Sequence, residues 1–235
     1  MLREFLRKVP LFDCLDEAEL ESLAALTVAR TYDKGQMIIL ADDVGESFFM
    51  IRQGEVKISI VHEDGREMIF SMLGPGQVFG ELALLDGRPR SANVVALRDS
   101  ELVSLRRRDF LQLLCDKPGV ATAMLAELAS RLRLMDEKIE GLALWDVTSR
   151  VSRTLVQLAA DLGVETAEGM RLDNRPTHQQ LANMSGTTRE TVTRVLNRLE
   201  EQGYVRSCGR SLVIVRDEGM GPLEQLHPAS SKAAK

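Results

Sequence analysis

The 235-residue sequence has few of the features that build metal sites, disulfides or membrane spans. Its three cysteines lie far apart and form no CxxC pair, so neither a disulfide framework nor a zinc or iron–sulfur site is expected. The longest uninterrupted apolar run, Met37 to Ala41, is too short to span a membrane, and the N-terminus lacks the apolar core of a signal peptide. We therefore expect a cytoplasmic protein with no metal ion and no membrane partner.

Motifs of catalysis are lacking as well. The three histidines are isolated, and no HExxH motif, Walker loop or nucleophile-and-base spacing is present, which argues against an enzyme. The net charge of −5 also argues against nucleic acid as a partner, because DNA binding requires positive charge. The sequence does supply a sizeable core, since 44% of its residues are hydrophobic, and its length suits two domains.

The N-terminal half changes from a helical to a strand pattern. Apolar residues recur at helical spacing between Leu15 and Ala29, at Leu20, Leu23, Leu26 and Val28, and Asp16 is a plausible N-cap for this helix. From about residue 31 to 107, glycines recur about every ten residues between short segments such as 56–61 and 68–72. Asp64-Gly65 is a strong hairpin signal. This spacing predicts an antiparallel sandwich or barrel.

A long helix is predicted from about Val120 to Trp145. Its apolar residues are separated alternately by three and four positions, at Leu125, Leu128, Leu132, Met135, Ile139 and Leu142. Such an a/d seam favours a parallel coiled-coil dimer. The alternative is a helix that packs on the core of its own domain.

The C-terminal part has the order of a winged helix-turn-helix. Asp146 is a candidate cap for a helix that ends near Gly163, and residues 164–176 are polar and irregular. Two helices are then predicted, from Thr177 through Met184 and from Thr188 to about Gln202. The segments 204–206 and 212–215 flank Ser207–Arg210 as a β-hairpin, and Gly203 suits the position after a helix end. The tail after Asp217 is expected to be disordered.

Two stretches carry chemistry. Between two predicted strands, Phe79–Ala92 offers backbone N–H groups around Gly80 to Ala83, the Glu81 carboxylate, and the guanidinium and hydroxyl of Arg90 and Ser91. A helical turn from Glu81 or Leu82 would direct amides at an anion, and the set suits a sugar phosphate. The alternative is a surface loop with an ion pair between Glu81 and Arg90.

The second stretch, Thr177–Leu196, suits DNA, because residues at the start of a recognition helix reach base edges in the major groove. The candidate DNA-binding residues are Thr177, His178, Thr188, Arg189, Glu190, Thr193 and Arg194. The alternative is an ordinary amphipathic surface helix.

Together these motifs make residues 5–216 resemble the CRP–FNR family of bacterial transcription regulators, closest to its cAMP receptor branch. The resemblance implies an α+β fold with an N-terminal cyclic-nucleotide-binding β-roll (jelly roll), a long dimerisation helix and a C-terminal winged helix-turn-helix. The expected parts are the β-roll at 1–118, the dimerisation helix and hinge at 119–146, the DNA-binding domain at 147–217 and a tail at 218–235. The missing cysteine cluster argues against the oxygen-sensing branch.

The resemblance also assigns roles to residues. It implies that Gly80, Glu81, Leu82, Ala83, Arg90, Ser91, Arg131, Met135 and Asp136 form the nucleotide site. Glu81 would bind the ribose, Arg90 and Ser91 the cyclic phosphate, and Arg131 would brace Glu81. Arg189, Glu190 and Arg194 match the residues that read a TGTGA-like half-site in pseudo-palindromic DNA, and Asp146 falls at the hinge. A homodimer and RNA polymerase are the implied protein partners.

The chain departs from the family where the adenine amino group would be bound. The positions that present Thr and Ser in familiar cAMP-binding members hold Met135 and Asp136. Methionine accepts hydrogen bonds weakly, and a carboxylate suits the N1–H and amino group of guanine as well as the adenine amino group. We expect cAMP as the effector, with cGMP, cyclic di-GMP and ligand-independent DNA binding as alternatives. A more distant alternative is a nucleotide-binding module that acts through protein contacts without DNA.

The whole-chain charge conceals an uneven distribution. From Arg171 to Arg216, eight arginines stand against four carboxylates, which gives +4, whereas residues 1–170 have a net charge of −8. The predicted DNA-binding part is therefore locally basic. The net charge of −5 does not exclude DNA.

Overall fold

The computed structural model describes residues 2–215, which form two compact units. The first comprises the residues up to Gly65 together with Phe70–Leu134, and the second comprises Arg66–Ile69 together with the residues from Met135 onward. The tail predicted at 218–235 lies outside the described residues, as do Arg216 and Asp217 of the predicted DNA-binding domain. Between residues 2 and 215, no helix is both long and apolar enough to cross a membrane.

The N-terminal part contains short helices, strands and a long helix. It begins with α1 (Leu2–Leu6), a 3₁₀ turn (Pro10–Phe12) and α2 (Glu17–Leu26). The strands are β1 (Thr27–Tyr32), β2 (Met37–Ile39), β3 (Ser47–Gln53), β4 (Val56–Val61), β5 (Glu67–Leu73), β6 (Val78–Phe79), β7 (Asn93–Ala96) and β8 (Ser100–Arg106). The helix α3 (Leu82–Asp86) lies between β6 and β7, and α4 (Arg107–Asp116) and α5 (Pro118–Leu144) follow β8.

These strands form two four-stranded sheets, with the orders β1-β8-β3-β6 and β2-β7-β4-β5. β3 pairs antiparallel with β8 and β6, and β7 pairs antiparallel with β2 and β4. The predicted strands at 56–61 and 68–72 are present, and the turn at Asp64-Gly65 joins them. The predicted antiparallel architecture is confirmed.

β3 is buried on both faces because its side chains alternate between two apolar clusters. Phe48 faces the helices and stacks on Phe110 of α4, with ring centroids 4.5 Å apart. Phe49 lies between the sheets and stacks on Phe79 of β6 at 5.1 Å. Aromatic pairs of this kind contribute about 0.5–1.5 kcal/mol beyond their burial. The second pair fixes the end of β6, from which the candidate ligand loop leaves.

The helix predicted up to Ala29 is too long, because its last residues belong to the first strand. Asp16 caps α2 as expected, since its side chain accepts from the Glu19 amide at 2.8 Å and the Glu19 side chain accepts from the Asp16 amide at 2.8 Å. The helix ends at Leu26, and Val28 and Ala29 belong to β1, where they pair with β8. The prediction that these two residues are helical was wrong, because pairing with a strand more than 70 positions away determines their conformation.

The second unit contains α6 (Val147–Leu162), β9 (Val164–Thr166), β10 (Gly169–Leu172), α7 (His178–Ser185), α8 (Arg189–Glu201), β11 (Val205–Cys208) and β12 (Ser211–Val215). Its sheet has the order β11-β12-β10-β9. The prediction that residues 164–176 are irregular was wrong, because β9 and β10 lie within them. β10 pairs with β12, and local sequence does not reveal this pairing. The turn of the predicted hairpin is also shorter than expected, since Ser207 and Cys208 belong to β11.

Capping residues determine where the helices of this unit begin and end. The side chains of Thr177 and Thr188 accept hydrogen bonds from backbone amides at the starts of α7 and α8, and Asp146 does the same for α6. Gly186 ends α7 in the left-handed conformation, with φ of +61°. The predicted winged helix-turn-helix and the α+β class are confirmed.

Candidate functional site

The loop between β6 and β7 is held by two left-handed glycines. Gly80 follows β6 with φ of +84°, and Gly87 ends α3 with φ of +71°. Glu81 occupies the N-cap position, immediately before the first residue of α3. The predicted helical turn at Glu81 or Leu82 is therefore present, and it brings the chain back to β7 within a few residues.

Arg90 is the buried cation of this loop, with only 7% of its surface exposed. Its Nη1 donates to the Gly80 carbonyl oxygen and its Nη2 to the Ser47 carbonyl oxygen, both at 2.7 Å. Burial lowers the pKa of the Arg90 guanidinium, while the carboxylates of Glu81 and Glu46 oppose this shift. An arginine stays charged in proteins nonetheless. The loop thus holds a positive charge that uses two of its five N–H donors on backbone oxygens.

Two glycines leave space for this guanidinium because they have no Cβ. A Cβ at Gly80 would lie 2.8 Å from Nη1 of Arg90, and one at Gly45 would lie 2.6 Å from the Cβ of Ala83 and 3.2 Å from Nε of Arg90. The Arg90 amide also donates to the Asp43 carbonyl oxygen at 2.8 Å. Sequence reasoning missed the segment around Gly45, because nothing in its local pattern links it to a loop about 45 residues away.

Glu81 is the buried anion of the same loop, with 3% of its surface exposed. Its Oε1 accepts from Nη1 of Arg131 at 2.9 Å, and Arg131 also donates to the Val78 carbonyl oxygen at 2.6 Å and to Glu127 at 2.8 Å. The other oxygen, Oε2, is buried and has no hydrogen-bond partner among residues 2–215. A buried acceptor without a donor costs stability. A ligand hydroxyl would satisfy it.

The remaining predicted nucleotide-site residues differ in exposure. Ala83 lies on α3 and is buried, whereas the side chains of Leu82 and Ser91 are exposed. Met135 and Asp136 lie on α5 in the second unit, the first half-buried and the second exposed. The structure therefore brings Gly80, Glu81, Ala83 and Arg90 together, with Arg131 against Glu81. The ion pair of Glu81 forms with Arg131 rather than with Arg90.

The start of α8 presents charged side chains to solvent. Arg189, Glu190 and Arg194 are exposed, as a surface that reads base edges requires. Hydrogen bonds from its own amide and from Thr188 lower the pKa of the Glu190 carboxyl, so it is ionised at neutral pH. Arg194 donates to the Thr191 hydroxyl at 3.1 Å.

Two of the predicted DNA-binding residues contact each other instead of lying side by side on the surface. Nδ1 of His178 lies 2.7 Å from the Thr193 hydroxyl, and both residues are half-buried. Nε2 of His178 lies 3.0 Å from Nη2 of Arg175. Sequence reasoning missed Arg175, which stands in a segment that was predicted to be irregular.

The apolar seam of α5 divides into two sets. Leu125, Leu132 and Ile139 are about two-thirds exposed, and Leu142 is nearly half exposed. Leu128 packs partly against the apolar cluster of the helices, and Met135 is half-buried. Residues seven apart lie on one face of a helix, so the most exposed side chains form one stripe.

The segment after α5 is fixed by a residue that sequence reasoning missed. Nη1 of Arg150 donates to the Trp145 carbonyl oxygen and its Nε donates to the Ser185 carbonyl oxygen, both at 2.9 Å. Asp146, the predicted hinge, caps α6 by accepting from the Ser149 amide at 2.7 Å. These bonds tie the end of α5 to the turn of the helix-turn-helix within the second unit.

Comparisons with known proteins identify the family. The model of the cyclic nucleotide-binding domain matches residues 29–116, and that of the Crp-like helix-turn-helix domain matches residues 149–220. A protein named Cyclic AMP receptor protein from Thermus thermophilus is 36% identical over 211 residues, which cover 90% of this chain and 94% of the relative. The chain belongs to the CRP–FNR family.

Two solved structures share this fold. FixK2 from Bradyrhizobium japonicum superposes with a TM-score of 0.76 and 25% identity, over 86% of this chain and 98% of that one. The c-di-GMP responsive global regulator CLP from Xanthomonas campestris superposes with a TM-score of 0.71 and 26% identity, over 86% and 100%. The chain is a cyclic-nucleotide-binding, DNA-binding transcription regulator. The prediction that it is not an enzyme is confirmed, because CRP-family regulators are non-enzymatic.

Proposed function

We propose that this CRP–FNR protein is a cytoplasmic homodimer that binds specific DNA sequences in response to cAMP. The observation that supports this most is the composition of one buried loop. Arg90 and Glu81 are both more than nine-tenths buried, and Oε2 of Glu81 has no hydrogen-bond partner within residues 2–215. A buried cation beside a buried acceptor complements a ligand that carries both a phosphate and a hydroxyl.

The chemistry of a cyclic nucleotide fits these groups. Arg90 would bind the cyclic phosphate, since a guanidinium is a forked donor that remains charged, and Ser91 would add a hydroxyl donor. Oε2 of Glu81 would accept from the ribose 2′-hydroxyl, while Arg131 holds the other carboxylate oxygen. Gly80, Leu82 and Ala83 would line the pocket with backbone. No metal ion or catalytic base is required for binding.

Different residues would select the nucleobase of the effector. The T. thermophilus relative is named for cyclic AMP, and cAMP is our first proposal. Asp136 would accept from the adenine amino group, and Met135 would contribute apolar contact. The same carboxylate suits guanine, and the X. campestris regulator is described as responsive to c-di-GMP, so cGMP and cyclic di-GMP are the competing effectors. Ligand-independent DNA binding is the third alternative.

The DNA contact would come from α8. Arg189 and Arg194 would read guanine through O6 and N7, and Glu190 would accept from a cytosine amino group. Thr177 and Thr188, as exposed helix caps, would contact phosphates. Two copies joined along the stripe of Leu125, Leu132 and Ile139 would place two such helices about one helical turn apart, which implies a pseudo-palindromic site with TGTGA-like half-sites.

Effector and DNA would be coupled through the dimer. A ligand shifts a conformational equilibrium only by its difference in affinity for the two states. We propose that cAMP prefers the state in which both recognition helices face the same side of DNA, with the change of angle taken up near Asp146. RNA polymerase would be the partner of the DNA-bound dimer. The boundaries 1–118, 119–146 and 147–217 would then separate effector binding, dimerisation and DNA binding.

A second class of function is a nucleotide-binding module that acts through protein contacts alone. The exposure of Arg189, Glu190 and Arg194 at the start of α8 favours DNA binding over it, because residues at the start of a recognition helix reach base edges. The test is binding of Arg189→Ala to duplexes with single base changes. We expect a loss of about 1–3 kcal/mol and a relaxed preference at one base pair. Arg198→Ala, in the exposed last turn of α8, is the matched control and should keep the preference.

A further inference from the structure

A network of hydrogen bonds connects Arg175, His178, Thr193 and Ser207, four half-buried residues of the DNA-binding unit. Nη1 of Arg175 donates to the Ser207 hydroxyl of β11 at 2.8 Å, and its Nη2 lies 3.0 Å from Nε2 of His178. Nδ1 of His178 lies 2.7 Å from the Thr193 hydroxyl, which donates to the Arg189 carbonyl oxygen at 3.0 Å. This hydrogen-bond network therefore links the hairpin to α7 and then to the recognition helix α8.

The chemistry of the hydrogen-bonding partners determines which atom carries each proton in this hydrogen-bond network. A guanidinium only donates, so Nε2 of His178 must accept and cannot carry a proton. Nδ1 then carries the proton and donates to Thr193, whose own proton goes to the Arg189 carbonyl oxygen. Only the neutral Nδ1–H tautomer satisfies every member. A protonated ring would place an N–H against the N–H of Arg175.

The hairpin is attached to the rest of the unit at more than one point. Besides the bond to Arg175, the Ser207 amide donates to Glu200 of α8 at 2.9 Å. The Arg175 amide donates to the Arg210 carbonyl oxygen at 2.9 Å, beside the hairpin turn. Arg206 and Arg210 flank these points and are exposed. The bonds of Arg175 thus add a second attachment of the hairpin, through α7, to the direct bond between Ser207 and Glu200 of α8.

We propose that neutral His178 is a positioning residue that locks the hairpin to the recognition helix, so that tight DNA binding requires His178 to be deprotonated. This inference rests on the DNA binding proposed above. It differs from a direct role for His178 at the DNA, because a histidine that contacts a phosphate binds better when it is protonated. The two roles predict opposite effects of acidification.

The surroundings of the ring favour the neutral form. Burial lowers the pKa of His178 from 6.5, and the positive charges of Arg175 on the preceding loop and Arg189 on α8 lower it further. From the hairpin, the uncharged Ser207 hydroxyl takes part in this hydrogen-bond network. Because the pKa is lower in the folded protein than in the unfolded chain, the stabilisation is complete above about pH 6.5 and is lost as the pH falls through the folded pKa.

The first test follows the ring itself in the full-length protein. The chain has three histidines, so selective ¹⁵N-histidine labelling gives few signals, and His178→Ala assigns the one of interest. We expect the Nδ1–H tautomer and a pKa below 6.5. An Nε2–H tautomer, or a pKa at or above 6.5, would overturn the proposal whether or not the protein binds DNA.

The second test measures affinity for a pseudo-palindromic duplex from pH 7.5 to 5.5. We expect the affinity to fall as the pH decreases, and this fall to be absent in His178→Ala, which binds weakly throughout. His62→Ala, at an exposed site in the first unit, is the control and should follow the wild type. A rise in affinity that depends on His178 would contradict the proposal in favour of a phosphate contact. Absence of binding at pH 7.5 would instead refute the proposed function.

The third test keeps the charge and removes the geometry. Lysine at position 175 has one ammonium group and cannot bond Ser207 and His178 as the guanidinium fork does. We expect Arg175→Lys to lose about tenfold or more in DNA affinity, as for removal of charge-assisted hydrogen bonds. Arg210→Lys, on the exposed hairpin turn, should lose much less. Equal small losses in both variants would show that Arg175 acts only as a positive charge.

Discussion

Nη1 of Arg131 lies 2.9 Å from Oε1 of Glu81, and it joins α5 to the loop that follows β6. The bond occupies one oxygen of a buried carboxylate and leaves the other, Oε2, without a hydrogen-bond partner in the described part of the chain. Arg131 is itself held by the Val78 carbonyl oxygen and by Glu127. Glu81 is therefore oriented before a ligand binds, which reduces the ordering cost of binding.

The first prediction concerns this carboxylate. Glu81→Gln keeps the size of the side chain but replaces one oxygen by a donor, so a ribose hydroxyl loses a charged acceptor. We expect cAMP affinity to fall by about tenfold or more, in line with a lost hydrogen bond to a charged group. Glu127→Gln changes the exposed partner of the same arginine and should leave the affinity nearly unchanged. Isothermal titration calorimetry measures both, and equal losses would contradict the assignment of Glu81.

The second prediction concerns the buried cation. Arg90→Ala removes the only charge that we assign to the cyclic phosphate, so nucleotide binding should fall below detection and the effector response should disappear. Arg88→Ala alters an exposed arginine of the same loop and should bind as the wild type does. Circular dichroism checks that both variants fold. Unchanged nucleotide binding in Arg90→Ala would refute the pocket assignment.

The third prediction separates space from backbone strain. Gly80 and Gly65 have nearly the same positive φ, +84° and +83°, but a Cβ at Gly80 meets Arg90 at 2.8 Å whereas a Cβ at Gly65 meets nothing within 4 Å. Alanine at either position costs about 1–2 kcal/mol of backbone strain. We expect both variants to lose thermal stability, with the larger loss in Gly80→Ala because of the added contact with Arg90, and a loss of nucleotide affinity in Gly80→Ala alone. Equal affinities would show that Arg90 can move without consequence.

The fourth prediction concerns the stripe on α5. Ile139→Lys places a charge in the proposed seam, where burying it without a partner is unfavourable, and we expect the dimer to dissociate at micromolar concentration. Glu140→Lys introduces the same residue at the neighbouring exposed position and should leave the dimer intact. Analytical ultracentrifugation distinguishes the two. A monomeric wild type would refute the proposed dimer, and an unaffected Ile139→Lys dimer would place its contact elsewhere.

Much of the fold could be predicted because local signals are strong in this chain. Capping residues predict four helix starts, at Asp16, Asp146, Thr177 and Thr188. The structure has a helix beginning after each of them. The loop 79–92 was also found from its sequence, since glycine, acid and arginine stand at short, characteristic spacing.

The parts that sequence reasoning missed depend on distant contacts. Val28 and Ala29 become strand through β8, and β9 and β10 are held in a sheet by β12. Gly45 and Arg175 matter through loops that meet only in the folded protein. No local pattern encodes such pairs, so the roles of these residues become visible only in the folded protein.

If a cyclic nucleotide controls DNA binding, the affinity of the protein for DNA must change when the nucleotide is added. A labelled duplex with two TGTGA-like half-sites is titrated with the full-length protein, without effector and with cAMP, cGMP or cyclic di-GMP, and fluorescence anisotropy reports the affinity. We expect cAMP to increase the affinity at least tenfold, Arg90→Ala not to respond, and Arg88→Ala to respond as the wild type does. Equal affinity with and without every nucleotide would contradict control by a cyclic nucleotide.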